Sequence, residues 1–220
     1  MKIRFRIIPI FLFSLIFLGC TSDPVLTQET EEMTSLDESV ANYLMKSRPK
    51  WSDMNVPNAD GKVLYDLIVE NNYTRALEIG TSTGRSAIWI AWALSKTGGK
   101  LITIEIDEGR YKKALANFEE AGLSDYIDAR LANAHDLVEE LEGPFDFVFN
   151  DADKDWYTNY FIALAPKLEV GGCFTAHNVS WTDDSGVSAF LDYVYSMPNF
   201  ETTINRASSS GISISYKREE

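Results

Sequence analysis

The sequence predicts an α/β fold in which a mostly parallel sheet is covered by helices on both faces. From residue 75 onward, short apolar segments of strand length alternate with amphipathic segments of helix length. The apolar segment Ala76–Ile79 runs into a turn with Gly80 and Gly84, and a helical pattern follows at once. This alternation is typical of a parallel sheet with helical crossovers.

Each element follows from the periodicity of its apolar residues. Two helices are predicted before the sheet. One begins at Ser35, and the other covers residues 58–70. Strands are predicted near 75–79, 101–106, 126–131, 145–150 and 170–177, and helices near 86–96, 108–121, 134–141, 155–167 and 184–196. Two final strands are expected near 199–204 and 211–217, joined through a turn at residues 208–211.

The amino-terminal residues have the pattern of a targeting segment. Lys2, Arg4 and Arg6 precede an apolar stretch that is short for a membrane span. Leu18-Gly19-Cys20 resembles the end of a bacterial lipoprotein signal, and an uncleaved anchor is the alternative. Residues 1–20 are therefore predicted as a lipoprotein signal, residues 21–34 as a flexible tether and residues 35–220 as the domain. We expect a membrane-anchored protein outside the cytoplasm, or a cytoplasmic one if translation starts at Met33.

Composition restricts the partners. The 220-residue chain has a formal net charge of -13, which disfavours binding to nucleic-acid phosphates. With two cysteines, the chain has no disulfide framework. A small-molecule acceptor is expected, and homodimer formation is left open.

The turn after the first strand has the features of a nucleoside site. Glycines let a ligand approach the backbone, and the following helix offers N–H groups and a positive dipole end. Glu78 lies inside the strand, where a carboxylate requires a cation or amine. Glu105 ends the second strand, at the position that reads a ribose in related folds. The Gly-x-x-x-Gly spacing argues against a dinucleotide oxidoreductase. Together these features indicate S-adenosylmethionine.

Acids and amides also follow the later strands, and the carboxyl ends of parallel strands meet at one edge of the sheet. The segment Asp151-Ala-Asp-Lys-Asp-Trp-Tyr157 is the most specific motif among them. With Leu77-Glu-Ile-Gly80 and Gly211-Ile-Ser-Ile-Ser215, it resembles the cation-dependent O-methyltransferases, the group of catechol and caffeoyl-CoA O-methyltransferases. The resemblance covers residue 35 to the carboxyl terminus and implies a Rossmann-like methyltransferase fold with seven strands, the last antiparallel.

The resemblance also implies roles for individual residues. Lys154 would take the proton of the acceptor, and Glu105 would bind the ribose. Ala134, Asp151 and Asp153 are further implied cofactor contacts. The methionyl end would lie against Val56, Glu78, Gly80, Thr81 and Ser86.

A divalent metal is implied at Asp151 and at the end of the fifth strand. The family has an Asp-Asn pair there, whereas this chain has His177-Asn178. Imidazole is a softer ligand than a carboxylate, so a site of Asp151, His177 and Asn178 favours manganese, iron or zinc over magnesium, or holds no metal.

The implied function is S-adenosylmethionine-dependent O-methyl transfer to a small aromatic hydroxyl or vicinal diol. The alternative is an exported, non-catalytic module that keeps the fold and binds a small molecule.

Overall fold

The computed structural model describes residues 24–47, 54–180 and 185–219, with side chains from Ser35 onward except Ser185. The predicted lipoprotein signal lies outside these residues, as does Trp181. Leu36–Glu220 form one compact unit. Among the described residues, no helix is both long and apolar enough to cross a membrane.

Seven strands form one sheet in the order β3-β2-β1-β4-β5-β7-β6. The strands are β1 Arg75–Ile79, β2 Lys100–Glu105, β3 Ile127–Leu131, β4 Phe145–Asn150, β5 Leu168–His177, β6 Phe200–Asn205 and β7 Ile212–Lys217. The first five pair in parallel, and β7 is antiparallel to both of its neighbours. The predicted Rossmann-like fold is confirmed, including its antiparallel last strand.

Seven helices accompany the sheet in the described residues. They are α1 Pro24–Lys46, α2 Asn58–Asn71, α3 Arg85–Thr97, α4 Glu108–Ala121, α5 Ala134–Glu140, α6 Tyr157–Leu164 and α7 Ser185–Ser196. Single 3-10 turns at Lys154–Trp156 and Ala165–Lys167 flank α6, so the predicted helix over 155–167 is broken at both ends.

The first helix begins at Pro24, eleven residues before the predicted start at Ser35. Proline suits the first turn of a helix, where its missing N–H has no intrahelical partner. The start predicted at Ser35 was therefore wrong. The tether and domain boundaries remain predictions.

Two hydrophobic clusters cover the two faces of the sheet. Neighbouring residues of β4 belong to different clusters. Phe147 and Phe149 lie in one cluster, and Val148 lies in the other. This alternation follows from the two-residue repeat of a strand. One cluster takes in residues of α2, α3 and α4, and the other takes in residues of α5, α6 and α7.

The order of the strands fixes the place of the site. The chain moves outward from β1 through β2 to β3, and then returns to β4 on the other side of β1. In open α/β sheets, ligands bind at such a reversal, beyond the carboxyl ends of the strands. Here the reversal lies between Ile79 and Asn150, which are paired across β1 and β4.

Candidate functional site at the carboxyl edge of the sheet

Gly80 opens the turn that leaves β1. Its φ of 95° lies in the region that favours glycine, and a Cβ here would lie 2.6 Å from the backbone oxygen of Asp151. The Asp151 N–H donates to the Ile79 oxygen at 2.9 Å. The turn after β1 and the loop after β4 therefore lie against each other, as a site at this reversal requires.

Glu78 is fully buried at the end of β1. Thr103 Oγ1 donates to its Oε2 at 2.5 Å, whereas Oε1 has no hydrogen-bond partner. Burial raises the pKa of Glu78 to about 8, although hydrogen bonds from Ser86 and Thr103 lower it and the nearby carboxylates raise it further. A buried polar atom without a partner requires an explanation, and a bound ligand supplies one.

Three other residues predicted at the methionyl end are buried, namely Val56, Thr81 and Ser86. Thr81 Oγ1 lies 2.5 Å from Thr103 Oγ1, which places Thr81 beside the threonine that contacts Glu78. Ser86 lies in the first turn of α3, and its side chain lowers the pKa of Glu78. Val56 is buried in the loop before α2. Thr81 and Ser86 thus lie around Glu78, and their contact with a cofactor stays a prediction.

Asn150 is a further candidate site residue, one that the sequence pattern alone did not single out. It ends β4 and is fully buried, and neither its side-chain oxygen nor its side-chain nitrogen has a partner. It is paired with Ile79 of the adjacent strand β1, and Ile79 is the residue after Glu78. The sequence signal for Asn150 was an amide side chain at the end of an apolar strand. The acidic residues that follow it are more conspicuous.

Glu105 is held by backbone N–H groups. Its Oε2 accepts from Ser82 at 2.7 Å, and its Oε1 accepts from Ile106 at 3.0 Å and Asp107 at 2.9 Å. Ser82 belongs to the glycine turn, so this carboxylate connects the end of β2 to the turn after β1. A carboxylate has about four acceptor positions, and the remaining one can take a ligand hydroxyl.

Ala134 and Asp153 lie farther along the edge, at the start of α5 and in the loop after β4. The His135 ring stacks on Trp156 with centroids 3.6 Å apart, and His135 Nε2 lies 3.7 Å from Asp153 Oδ2. Asp153 caps the 3-10 turn by accepting from the Asp155 N–H. A half-buried aromatic pair beside a carboxylate is suited to binding a planar heterocyclic ring.

Asp151 has a basic side chain on each oxygen. Lys154 Nζ lies 2.9 Å from Oδ1, and His177 Nδ1 lies 3.1 Å from Oδ2. Lys154 Nζ also donates to Tyr157 Oη at 2.7 Å and to the Ala152 oxygen at 3.3 Å. These three acceptors suit a charged ammonium, so the geometry gives the predicted proton-accepting role of Lys154 no support.

His177 contacts a second carboxylate that the sequence did not indicate. Its Nε2 lies 2.7 Å from Oδ2 of Asp60, which is 1% exposed in the first turn of α2. Burial alone would lower the pKa of His177, but hydrogen bonds and charges from Asp151 and Asp60 raise it to about 9. An acid in the first turn of a helix ordinarily complements the helix dipole, so nothing in the sequence pointed from Asp60 to His177.

A metal ion does not fit this arrangement. A histidine binds a metal through a ring nitrogen lone pair, and both ring nitrogens of His177 face carboxylate oxygens. No group of three or more acidic, His or Cys side chains in residues 24–47, 54–180 and 185–219 is arranged to hold a metal ion. Asn178 follows with a φ of 58° and is mostly buried. The metal set of Asp151, His177 and Asn178 stays a prediction from the resemblance.

A cavity of about 550 Å³ lies near the site but is not part of it. It is mainly apolar and lies between α1, α2 and α3, with Trp89 and Trp92 in its wall. Two of its lining residues, Ala59 and Ala207, are the sequence neighbours of Asp60 and Ser208. None of the predicted site residues lines it, so we do not assign the cofactor to this cavity.

Comparison with known proteins identifies the family. The sequence pattern described as O-methyltransferase matches residues 27–189. The chain belongs to the O-methyltransferase family. It is 33% identical over 162 residues to caffeoyl-CoA O-methyltransferase 1 of Eucalyptus globulus, a match covering 71% of this chain and 63% of that protein. The chain thus spans less than two thirds of that relative.

A bacterial family member and two solved structures are also similar. Catechol O-methyltransferase of Niastella koreensis is 45% identical over 127 residues, covering 56% of this chain and 57% of that one. The O-methyltransferase TomG of Streptomyces achromogenes, solved with SAM, has a TM-score of 0.73 at 26% identity, covering 83% and 90%. The Bacillus cereus O-methyltransferase, solved with SAH, has a TM-score of 0.70 at 26% identity, covering 84% and 91%.

Replacing Glu78 by Gln should remove a pH dependence of stability. A carboxyl whose pKa is raised from 4.5 to about 8 adds stability that is fully present below pH 4.5 and is lost as pH rises to about 8. We expect the unfolding free energy of the wild type, relative to Glu78→Gln, to fall by up to ~1.4 kcal/mol per pH unit across this window. Urea unfolding between pH 5 and pH 9 measures it. Parallel curves for the two proteins would contradict the buried, protonated carboxyl.

Proposed function

We propose that this chain is an S-adenosylmethionine-dependent O-methyltransferase that acts on a small aromatic hydroxyl or vicinal diol. Beyond family membership, the proposal depends most on Glu78, a buried carboxylate with one oxygen free beside a glycine turn. It is supported by the TomG and Bacillus cereus structures, which were solved with SAM and SAH. Every relative named above is an O-methyltransferase, so the comparisons give the non-catalytic alternative no support.

The cofactor would lie along the carboxyl edge, from β1 toward α5. Its ammonium would pair with Glu78, which would then ionise, and the Asn150 amide would contact its carboxylate. The methionyl chain would follow Gly80, Thr81, Ser86 and Val56. The ribose would take the free acceptor position of Glu105. The adenine would lie toward Ala134 and Asp153, with Asp151 on the acceptor side.

Methyl transfer breaks the bond between the methyl carbon and the sulfonium and forms a bond from that carbon to the acceptor oxygen. The acceptor hydroxyl must lose its proton, because the attacking oxygen would otherwise carry a positive charge. We propose that the Lys154 ammonium stabilises the resulting oxyanion and that the proton leaves to water. Tyr157 and Asp151 hold the ammonium in place. Positioning of the two reactants supplies most of the remaining acceleration.

Glu105→Ala should weaken cofactor binding on the order of tenfold or more, since hydrogen bonds to charged groups contribute about 1.5–3 kcal/mol each. Calorimetric titration of S-adenosylmethionine into the full chain measures this. Glu108→Ala is the control, because Glu108 is an exposed acid three residues later that pairs with Lys112. Equal affinity in the Glu105→Ala and wild-type proteins would remove Glu105 from the site.

Lys154→Ala should lower kcat for methyl transfer to catechol by roughly 100-fold or more, the usual effect of removing a group that stabilises an oxyanion. Its affinity for S-adenosylmethionine should change little, because Lys154 is not among the proposed cofactor contacts. Lys112→Ala, an exposed lysine on α4, is the control. Unchanged turnover in Lys154→Ala would contradict the role of Lys154.

We also propose that Cys20 carries a lipid that anchors the chain to a membrane outside the cytoplasm; the sequence alone supports this. Cys20→Ser should release the protein or leave its signal uncleaved. Metabolic labelling with a fatty acid in a bacterial host, followed by membrane fractionation, measures both effects. Equal labelling of the wild type and Cys20→Ser would contradict lipidation at this residue.

A further inference from the structure

Four ionisable side chains form a chain of contacts at the carboxyl edge of the sheet. In order, they are Asp60, His177, Asp151 and Lys154, and each lies within 3.1 Å of the next. Ser208 Oγ donates to the same Asp60 oxygen as His177, at 2.6 Å. The network thereby joins α2, β5, the loop after β4 and the loop before β7.

The contacts determine the protonation of His177. A neutral imidazole has one N–H and one lone pair, and here a lone pair would face a carboxylate oxygen at Asp60 or at Asp151. Both carboxylates are largely buried, so the repulsion would be poorly screened. With both ring nitrogens protonated, the two positive and two negative side chains balance.

The same geometry separates the two carboxylates. Asp60 and Asp151 lie on opposite ring nitrogens, with the imidazole between them, so their oxygens cannot converge on one ion. Each Asp151 oxygen already accepts from a cationic side chain. A divalent ion at Asp151 and His177 would require His177 to lose a proton and break one of its two ion pairs.

We propose that the His177 imidazolium takes the place of the divalent cation in this chain, and that Asp60 is the positioning residue that holds it. The inference concerns the same site as the proposed function and relies on it for the consequence in catalysis. His177 gives both of its N–H groups to carboxylates and does not touch the acceptor. It keeps Asp151 oriented so that Lys154 is the positive group beside the acceptor oxygen, and methyl transfer needs no added metal.

The protonation of His177 can be observed directly by NMR of the ¹⁵N-labelled full chain at pH 7. The chain has two histidines, so His135→Gln leaves one imidazole to assign. We expect two ring N–H signals from His177, with the nitrogen shifts of an imidazolium. Asp60→Asn should leave one signal. Glu70→Gln, which removes an exposed acid from the same helix, should leave both. One N–H signal in the wild type would overturn the proposal.

Metal dependence gives a second test that does not require S-adenosylmethionine. The melting temperature of the wild type should be the same in EDTA and in millimolar Mg²⁺ or Mn²⁺. His177→Asp would bring three carboxylates together with Lys154 as the remaining cation, so either metal should raise its melting temperature by several degrees. A metal-dependent shift in the wild type would overturn the proposal even if His177→Asp fails to fold.

Activity then separates this inference from the proposed function. After exhaustive chelation, the wild type should keep its rate of methyl transfer to catechol, and loss of this rate with recovery on adding Mn²⁺ would refute the inference. If the chain shows two imidazolium signals but neither binds S-adenosylmethionine nor methylates any acceptor, the proposed function fails and the assignment of His177 stands.

Discussion

The Asp151 carboxylate organises the carboxyl edge of the sheet, because it accepts from a cationic side chain on each oxygen. Lys154 holds one oxygen and His177 the other, so the loop after β4 is fixed to the end of β5. Asp60 extends the network to α2, which packs on α3 beside the glycine turn. Charges in a mostly buried place persist when they are paired, and this requirement determines which protonation states the site adopts.

The two ends of the carboxyl edge of the sheet differ in whether their polar side chains have hydrogen-bond or ion-pair partners. Within the network of Asp60, His177, Asp151 and Lys154, each charged side chain has a partner of opposite charge, and Glu105 accepts three backbone N–H groups. Around the glycine turn, Glu78 and Asn150 keep buried polar atoms without partners. Unsatisfied atoms raise the free energy of the folded chain, so part of the stability cost falls where the cofactor is proposed to bind. Binding there would stabilise the fold as well as supply the methyl group.

The strand pattern and the glycine turn were enough to predict the sheet, because apolar strands alternating with amphipathic helices have few other solutions. Glu78 and Glu105 were predictable because one lies just before the end of β1 and the other ends β2, and strand ends of a parallel sheet meet. Asp60 was not, because it contacts a residue 117 positions away and resembles an ordinary first-turn acid. The metal expectation came from a family pattern in which a carboxylate occupies the position of His177. The pairing of both ring nitrogens is a three-dimensional fact without a local sequence signal.

A crystal of the full chain soaked in zinc shows whether a protonated histidine fills the place of a cation. Anomalous diffraction at the zinc edge locates the metal without reference to activity. We expect no anomalous peak between Asp151 and His177, with His177 still within hydrogen-bonding distance of Asp60 and Asp151. A peak about 2.0–2.2 Å from a ring nitrogen of His177 and from an Asp151 oxygen would contradict it.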